Sequence, residues 1–109
     1  MSWYRKAQAM TAEKFERMIQ SLLPSGVKVR FEDYATGEIE LVDFEVEEPF
    51  RNKGLGSEAL KIIKNMASRH GVSIMLIPAG SRKRDEEEQR LRDFYERNGF
   101  QGEDALRYP

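Results

Sequence analysis

Between Ile39 and Ile77 the chain alternates apolar and polar residues as far as Val46, turns through Arg51-Asn52-Lys53-Gly54-Leu55-Gly56, runs into an amphipathic helix and closes on a largely apolar run. Few folds accept that succession. The helix places Leu55, Ala59, Ile62, Ile63, Met66 and Ala67 on one stripe, with Lys61, Lys64, Asn65 and Arg69 outward. His70 and Gly71 supply a helix end, a cation near the dipole's negative pole followed by a residue that tolerates a left-handed cap. Val72 to Ile77, apolar but for Ser73 and closed by Pro78 and Gly80, has the character of a strand covered on both faces. Strand, helix and strand in this order require a crossover and therefore a parallel strand pair.

The flanking segments complete an α/β pattern. Thr11 is placed to cap a helix whose Phe15, Met18, Ile19 and Leu22 follow the i, i+3, i+4, i+7 rule, with Pro24 and Gly26 stopping it. Val27, Val29 and Phe31 alternate with Lys28, Arg30 and Glu32, and Thr36-Gly37 turns the chain into Glu38 to Val46, which predicts a hairpin. Strict alternation in the second strand puts Glu40, Val42, Phe44 and Val46 on one face and Ile39, Leu41, Asp43 and Glu45 on the other. A polar loop from Ala79 to Arg84 leads to a helix over Asp85 to Asn98, with Leu91, Phe94 and Tyr95 inward, Gly99 as its stop and Phe100 opening a short last strand. The decapeptide at the start fits a helix through Trp3, Ala7 and Met10, but its state is left open.

With 109 residues there is room for one domain and one core, here spanning residues 1–109. Charged residues make up 34% of the sequence yet nearly cancel to a formal charge of −1, so no global field draws the chain to nucleic acid or to an anionic membrane. Having no cysteine, it cannot form disulfides, thiolate metal sites or a cysteine nucleophile, which suits a reducing cytoplasm. No apolar run reaches transmembrane length, and the first residues lack the apolar core of a signal peptide. His70 stands alone, and no metal site is expected.

A glycine-bearing turn between a strand and a helix frees backbone N–H groups and aims a helix N-terminus at any anion there. Gly54 and Gly56 lack a Cβ, Arg51 and Lys53 add positive charge, and Ser57 adds a hydroxyl in the first helical turn. A tight turn that binds nothing is the plain alternative. Arg51-x-x-Gly54-x-Gly56, followed by Tyr95-Glu96-Arg97-Asn98-Gly99-Phe100, resembles the GNAT N-acetyltransferase superfamily over roughly residues 12 to 102. The resemblance implies a GNAT-like mixed β-sheet flanked by helices on both faces, N-terminally reduced, and splayed where the strand ending at Val46 parts from Val72 to Ile77.

What the resemblance implies for the site follows residue by residue. Arg51, Asn52, Lys53, Gly54, Leu55, Gly56 and Ser57 would hold the pyrophosphate of coenzyme A, and the main chain of Phe44, Glu45 and Val46 would pair with the pantetheine arm like an added strand. Tyr95 would sit beside the thioester sulfur and protonate the leaving thiolate, the alternative being a packed tyrosine on the buried stripe. Glu40, whose distance upstream of Arg51 matches the base glutamate of the histone-acetylating branch, is the first candidate to deprotonate an amine. Asp43, Glu45, Glu47 and Glu48 compete with it. The helix offers Glu86, Glu87, Glu88 and Gln89 where many members have an asparagine touching the coenzyme, and the chain is shorter than most members.

The expected activity is transfer of an acetyl group from acetyl-CoA to an acceptor amine by direct attack. An acyl-CoA-binding sensor or interaction module without transferase activity is the main alternative, and an adaptor using Arg82-Lys83-Arg84 is a third. Exposed strand edges and the aromatics Trp3 and Tyr4 predict a homodimer.

Overall fold

The computed structural model of the chain describes residues 10–78, 85–103 and 105–108. Trp3, Tyr4 and the Arg82 to Arg84 loop, singled out above, lie outside them. The first helix, α1 (Ala12–Leu22), begins where Thr11 accepts a hydrogen bond from the Lys14 N–H through its side chain. Phe15 and Ile19 are fully buried, whereas Leu22, the last member of the expected stripe, is half exposed because the helix ends there.

Strands β1 (Val27–Asp33) and β2 (Ile39–Val46) form the expected antiparallel hairpin. Among the described residues β1 is an edge strand, since the sheet order is β1-β2-β3-β4. Three of its outward polar groups are taken by side chains of α1. Gln20 Nε2 donates to the Val27 carbonyl at 2.8 Å while its Oε1 accepts from the Val29 N–H at 3.2 Å, and Glu16 Oε1 accepts from the Phe31 N–H at 2.8 Å. Residues 16 and 20 are one turn apart on the helix, so two side chains bond an edge that has no neighbour strand among the described residues. Removing both, as in the Glu16→Ala, Gln20→Ala double variant, strands three partly buried backbone groups. The expected loss is about 1 kcal/mol per group, read as a lower urea midpoint at unchanged slope; an unshifted midpoint would show that water replaces these bonds at no cost.

The helix α2 (Leu55–His70) crosses to β3 (Ile74–Leu76), which pairs in parallel with β2, confirming the βαβ unit. Gly71 caps the helix at φ 66°, and its N–H bonds back to carbonyls in the last turn. Ala59, Leu60, Ile63 and Ala67 are its buried residues. Leu60 was not on the expected stripe. The helix α3 (Asp85–Arg97) follows, and β4 (Leu106–Tyr108) pairs antiparallel with β3. The final strand was expected at Phe100. Phe100 is instead a fully buried core residue directly after the helix stop, and the strand forms only after Gln101 has bridged back to Arg107.

One irregularity changes the face assignment of β2. Val29 pairs with Phe44 and Arg30 with Asp43, but Phe31 pairs with Leu41, so Val42 has no partner and forms a β-bulge. One extra residue inverts every side chain beyond it. Phe44 and Val46 therefore share a face with Ile39 and Leu41, opposite Glu40, which corrects the expectation that Glu40 lies in their row. This inner face carries Val29, Phe31, Ile39, Leu41, Ile74, Leu76 and Leu106, and Ala12, Phe15 and Ile19 of α1, Leu60, Ile63 and Ala67 of α2 and Tyr95 of α3 join them in a single cluster with Phe100. The mixed sheet with its helices is the α/β architecture expected from the sequence. The other face presents Arg30, Glu32, Asp43 and Arg107, with Arg30 bonded to both Asp43 and Glu32.

Candidate functional site

β2 and β3 are in register only at Ile39 with Ile74 and Glu40 with Met75. Beyond Glu40 they part, leaving the β3-facing edge of β2 without a strand partner among the described residues. The direction of its polar groups follows from the ladder. Val27 faces Val46 and the Glu47 N–H bonds to the Gly26 carbonyl, so this is a non-hydrogen-bonded pair and Val46 turns its own N–H and C=O away from β1. Phe44, two residues back in the same ladder, does likewise. The Val46 carbonyl is already engaged, since Arg51 Nε donates to it at 2.7 Å. Arg51 thereby ties the turn to the end of β2, and the Phe44 N–H and C=O and the Val46 N–H are left facing the gap.

After β2 a short 3-10 turn, Glu48–Phe50, brings the chain to the glycine loop. Asn52 has φ 63° and Gly54 has φ 77°, so two left-handed residues separated by one fold the backbone into a concave turn. Gly54 is the N-cap of α2 and its carbonyl accepts the first helical bond, from Glu58. The N–H groups of Leu55, Gly56 and Ser57 consequently have no intrahelical acceptor and point out of the helix end. A Cβ on Gly54 would meet nothing within 4 Å, which leaves its positive φ as the reason for glycine within the fold. At Gly56 a Cβ would come within 3.2 Å of Phe94 Cζ. Here glycine serves packing of α3 on α2. Gly56→Ala should displace the Phe94 ring by a few tenths of an ångström and cost about 1 kcal/mol, visible as a small drop in melting temperature; an unchanged melting temperature would show that the ring yields freely.

Gly26 has a role the sequence did not suggest beyond stopping a helix. With φ 91°, it lets the Phe50 ring lie where a Cβ would stand, 2.3 Å from Cδ2. Phe50 is thereby held against the glycine loop.

A cleft of about 650 Å³ joins these parts, lined by Phe44, Glu45, Val46, Phe50, Arg51, Asn52, Gly54, Leu55, Gly56, Ser57, Leu91, Phe94 and Tyr95. Nine of the ten residues expected to hold a coenzyme are in that wall; Lys53 is exposed and outside it. Phe50, Leu91 and Phe94 were not foreseen as lining. For Leu91 and Phe94 the signal was present, since the helical stripe that holds Tyr95 holds them too.

Tyr95 is 8% exposed and closes one end of the cleft, with its ring 6.2 Å from Phe44, 5.3 Å from Phe94 and 5.9 Å from Phe100. Its hydroxyl has no hydrogen-bond partner among the described residues. Burial alone pushes its pKa from 10.0 up to about 12, because the phenolate would lose its water. Glu40 is absent from the cleft wall. It pairs with Glu32 on one side and Met75 on the other, on the outer face at the point where β2 and β3 part. Gln89, in place of the asparagine noted above, donates to Asp93 one turn on. Among the described residues no three His, Asp or Glu side chains could share a metal ion.

A glycine loop at a helix N-terminus, an open strand edge beside it and a buried phenol at the far end form a slot for a long ligand with an anionic head. The sequence profile of the Acetyltransferase (GNAT) family matches residues 25–100, which contain all of these parts. The chain belongs to the GNAT acetyltransferase family. Solved structures agree on the GNAT fold. The anti-CRISPR protein AcrVA5 superposes with a TM-score of 0.60 at 22% identity, over 79% of this chain and 93% of that one. Naa50 of Arabidopsis thaliana, in complex with the bisubstrate analogue CoA-Ac-MVNAL, superposes with a TM-score of 0.52 at 20% identity, over 76% of this chain and 63% of that one. No curated protein matches this GNAT chain in sequence. None of its described helices is long and apolar enough to cross a membrane.

Proposed function

We propose that the chain is an acetyl-CoA-dependent N-acetyltransferase that passes the acetyl group directly to an amine. The observation that supports this best is the cleft that takes in the glycine loop, the open edge of β2 and Tyr95, whose hydroxyl has no partner among the described residues. The loop N–H groups and Arg51 suit a diphosphate, as the helix end attracts negative charge. The Phe44 and Val46 backbone groups facing the gap suit the amides of a pantetheine arm, completing the sheet with a non-peptide strand. Coenzyme A is a substrate here, and the protein's part is to orient and polarise it.

In the proposed reaction the amine nitrogen, neutral after losing a proton, attacks the thioester carbon. The C–N bond forms, the C–S bond breaks, and the nitrogen gives up one further proton as the amide is made. Tyr95 donates its phenolic proton to the departing sulfur and recovers one from solvent, so coenzyme A leaves as the thiol. Glu40, at the fork of the two strands on the outer face, is the group proposed to accept the amine proton directly or through water. An acceptor entering from that face would meet Glu40 on one side and the cleft on the other. In Naa50 the bound analogue joins coenzyme A to a peptide, MVNAL, through an acetyl group, and amino termini are accordingly among the acceptors to try.

The deciding experiment mixes the protein with acetyl-CoA and follows free thiol over a panel of primary amines and peptides, with mass spectrometry of the acceptor. Acceptor-dependent thiol and an N-acetylated product are expected. Tight coenzyme binding without acceptor-dependent thiol would support the binding-module alternative.

A further inference from the structure

The turn between α1 and β1 reaches the glycine loop through one residue. Gly26 stands third in the turn from Pro24 to Val27, which a bond from the Val27 N–H to the Pro24 carbonyl closes, and its φ of 91° suits that position of a type II turn. It meets the segment after β2 at two points. Its carbonyl accepts the Glu47 N–H at 2.7 Å, and the space its side chain would fill holds the root of Phe50: a Cβ there would stand 2.4 Å from Cγ and 2.9 Å from Cβ of that residue. These atoms adjoin the main chain, so turning the ring cannot clear them. The Phe50 N–H bonds to the Glu47 carbonyl, the Arg51 N–H to the Glu48 carbonyl and Arg51 Nε to the Val46 carbonyl, which ties Val46 through Arg51 into one unit resting on Gly26. Phe50, Arg51 and Asn52 line the 650 Å³ cleft, and Gly26 does not.

We propose that Gly26 is a positioning residue for the coenzyme: acting through Phe50, it fixes where Arg51 and the left-handed Asn52 stand at the anion end of the cleft. The proposal rests on the coenzyme-binding function put forward above and adds a determinant that lies outside the cleft wall. Its weight follows from the distances. To bring Phe50 Cγ out to an ordinary contact of about 3.5 Å, an alanine at position 26 must push it by about 1 Å, and Arg51 is the next residue along the chain. A shift of that size in a group that orients a ligand is costly. At Gly56, by contrast, an added Cβ comes within 3.4 Å only of Phe94 Cζ, the far end of a ring. Gly37 supplies the control. Its φ is 90°, it turns the opposite end of the β1–β2 hairpin, and a Cβ there would meet nothing within 4 Å. Gly37→Ala therefore carries the same backbone strain with no ring to displace.

The test is calorimetric titration with acetyl-CoA of the wild type, Gly26→Ala, Gly37→Ala, Phe50→Ala and the Gly26→Ala, Phe50→Ala double variant. Amide exchange at Glu47, Phe50 and Arg51, followed by NMR, is a second readout that needs no ligand. Gly26→Ala should raise the dissociation constant at least about tenfold and speed exchange at these amides more than Gly37→Ala does. Gly37→Ala should bind as the wild type does despite a lower melting temperature. Phe50→Ala, which empties the same seat without backbone strain, should also bind at least about tenfold more weakly, and adding Gly26→Ala to it should cost less than about a further twofold because no ring remains to displace. Equal affinity for the wild type and Gly26→Ala, an equal weakening in Gly37→Ala, or a full Gly26→Ala effect that persists without the Phe50 ring would overturn the proposal. If Gly26→Ala does not fold, Phe50→Ala decides, and unchanged affinity and exchange in it would overturn the proposal equally. A wild type that does not bind acetyl-CoA is a different result: it would overturn the coenzyme-binding function beneath, and the exchange rates would still decide whether Gly26 holds the loop.

Discussion

Tyr95→Phe should lower turnover by about 10²-fold or more, the range for losing a general acid, while acetyl-CoA binds nearly as before. The substitution keeps the ring among Phe44, Phe94 and Phe100 and removes only a hydroxyl that has no partner among the described residues. Packing therefore predicts little change in stability, which separates an acid from a core tyrosine. The deficit should shrink with acyl donors whose thiol leaves easily, because a better leaving group needs less protonation. Equal rates for the two proteins, with chemistry limiting, would return Tyr95 to the core. The pH dependence has a definite sign. Burial raises the folded-state pKa from 10.0 to about 12, so the phenol stays protonated throughout the neutral range and loses its proton only near the upper value. Between those values the unfolded chain has released a proton that the folded chain retains, so stability is full below the lower pKa and falls as pH rises toward the upper one. Thermal melts across that window should decline in the wild type, and this contribution should be missing in Tyr95→Phe; parallel declines would show that the phenol is not perturbed.

Gly54→Val carries the other large effect. The fold has room for a Cβ at this position, so no clash within the protein is expected. The cost comes from φ 77°, which a β-branched residue resists by about 1–2 kcal/mol, and from a side chain standing where a diphosphate would approach. Acetyl-CoA affinity should fall by about 10²-fold, equivalent to about 2.7 kcal/mol, in a protein whose helix content is unchanged. Gly54→Asn makes a sharper comparison, since asparagine accepts left-handed φ more readily than valine, and its affinity should lie between the two. Calorimetry reads all three. Equal affinities would remove the loop from coenzyme binding.

How far the sequence foretold this structure depends on whether a signal was local. The glycine loop, the cap at Thr11, the hairpin and the βαβ unit were each written into a few consecutive residues, and each formed where expected. The face of Glu40 was not. The run Glu40, Val42, Phe44, Val46 alternates without a flaw, and the bulge that breaks it is set by pairing with β1, a partner eleven or more residues away. Strict alternation was the natural expectation and it placed a carboxylate among apolar side chains. The inserted Val42 instead puts Phe44 and Val46 inward and leaves Glu40 outward, at the fork. Phe50 escaped notice for a similar reason. Its seat depends on Gly26, which read as helix punctuation and whose missing side chain is in fact the floor for a ring. The last strand was misplaced because Phe100 has the composition of a strand residue, whereas its position directly after Gly99 makes it a plug for the core.

The two margins of β2's neighbourhood differ in a way that bears on handling the protein. At β1, Glu16 and Gln20 cover three of the backbone groups that a foreign strand would grip. Across the gap from β3, the backbone groups of Phe44 and the Val46 N–H have no such cover among the described residues. An empty protein is then a half-finished ladder, open to misannealing with a stray peptide or a second copy, and in the proposed binding mode the coenzyme would double as a stopper. Coenzyme at about a hundred times its dissociation constant would add about 2.7 kcal/mol to the fold and shut that margin at once. Purification, concentration and storage are accordingly best done with the coenzyme present.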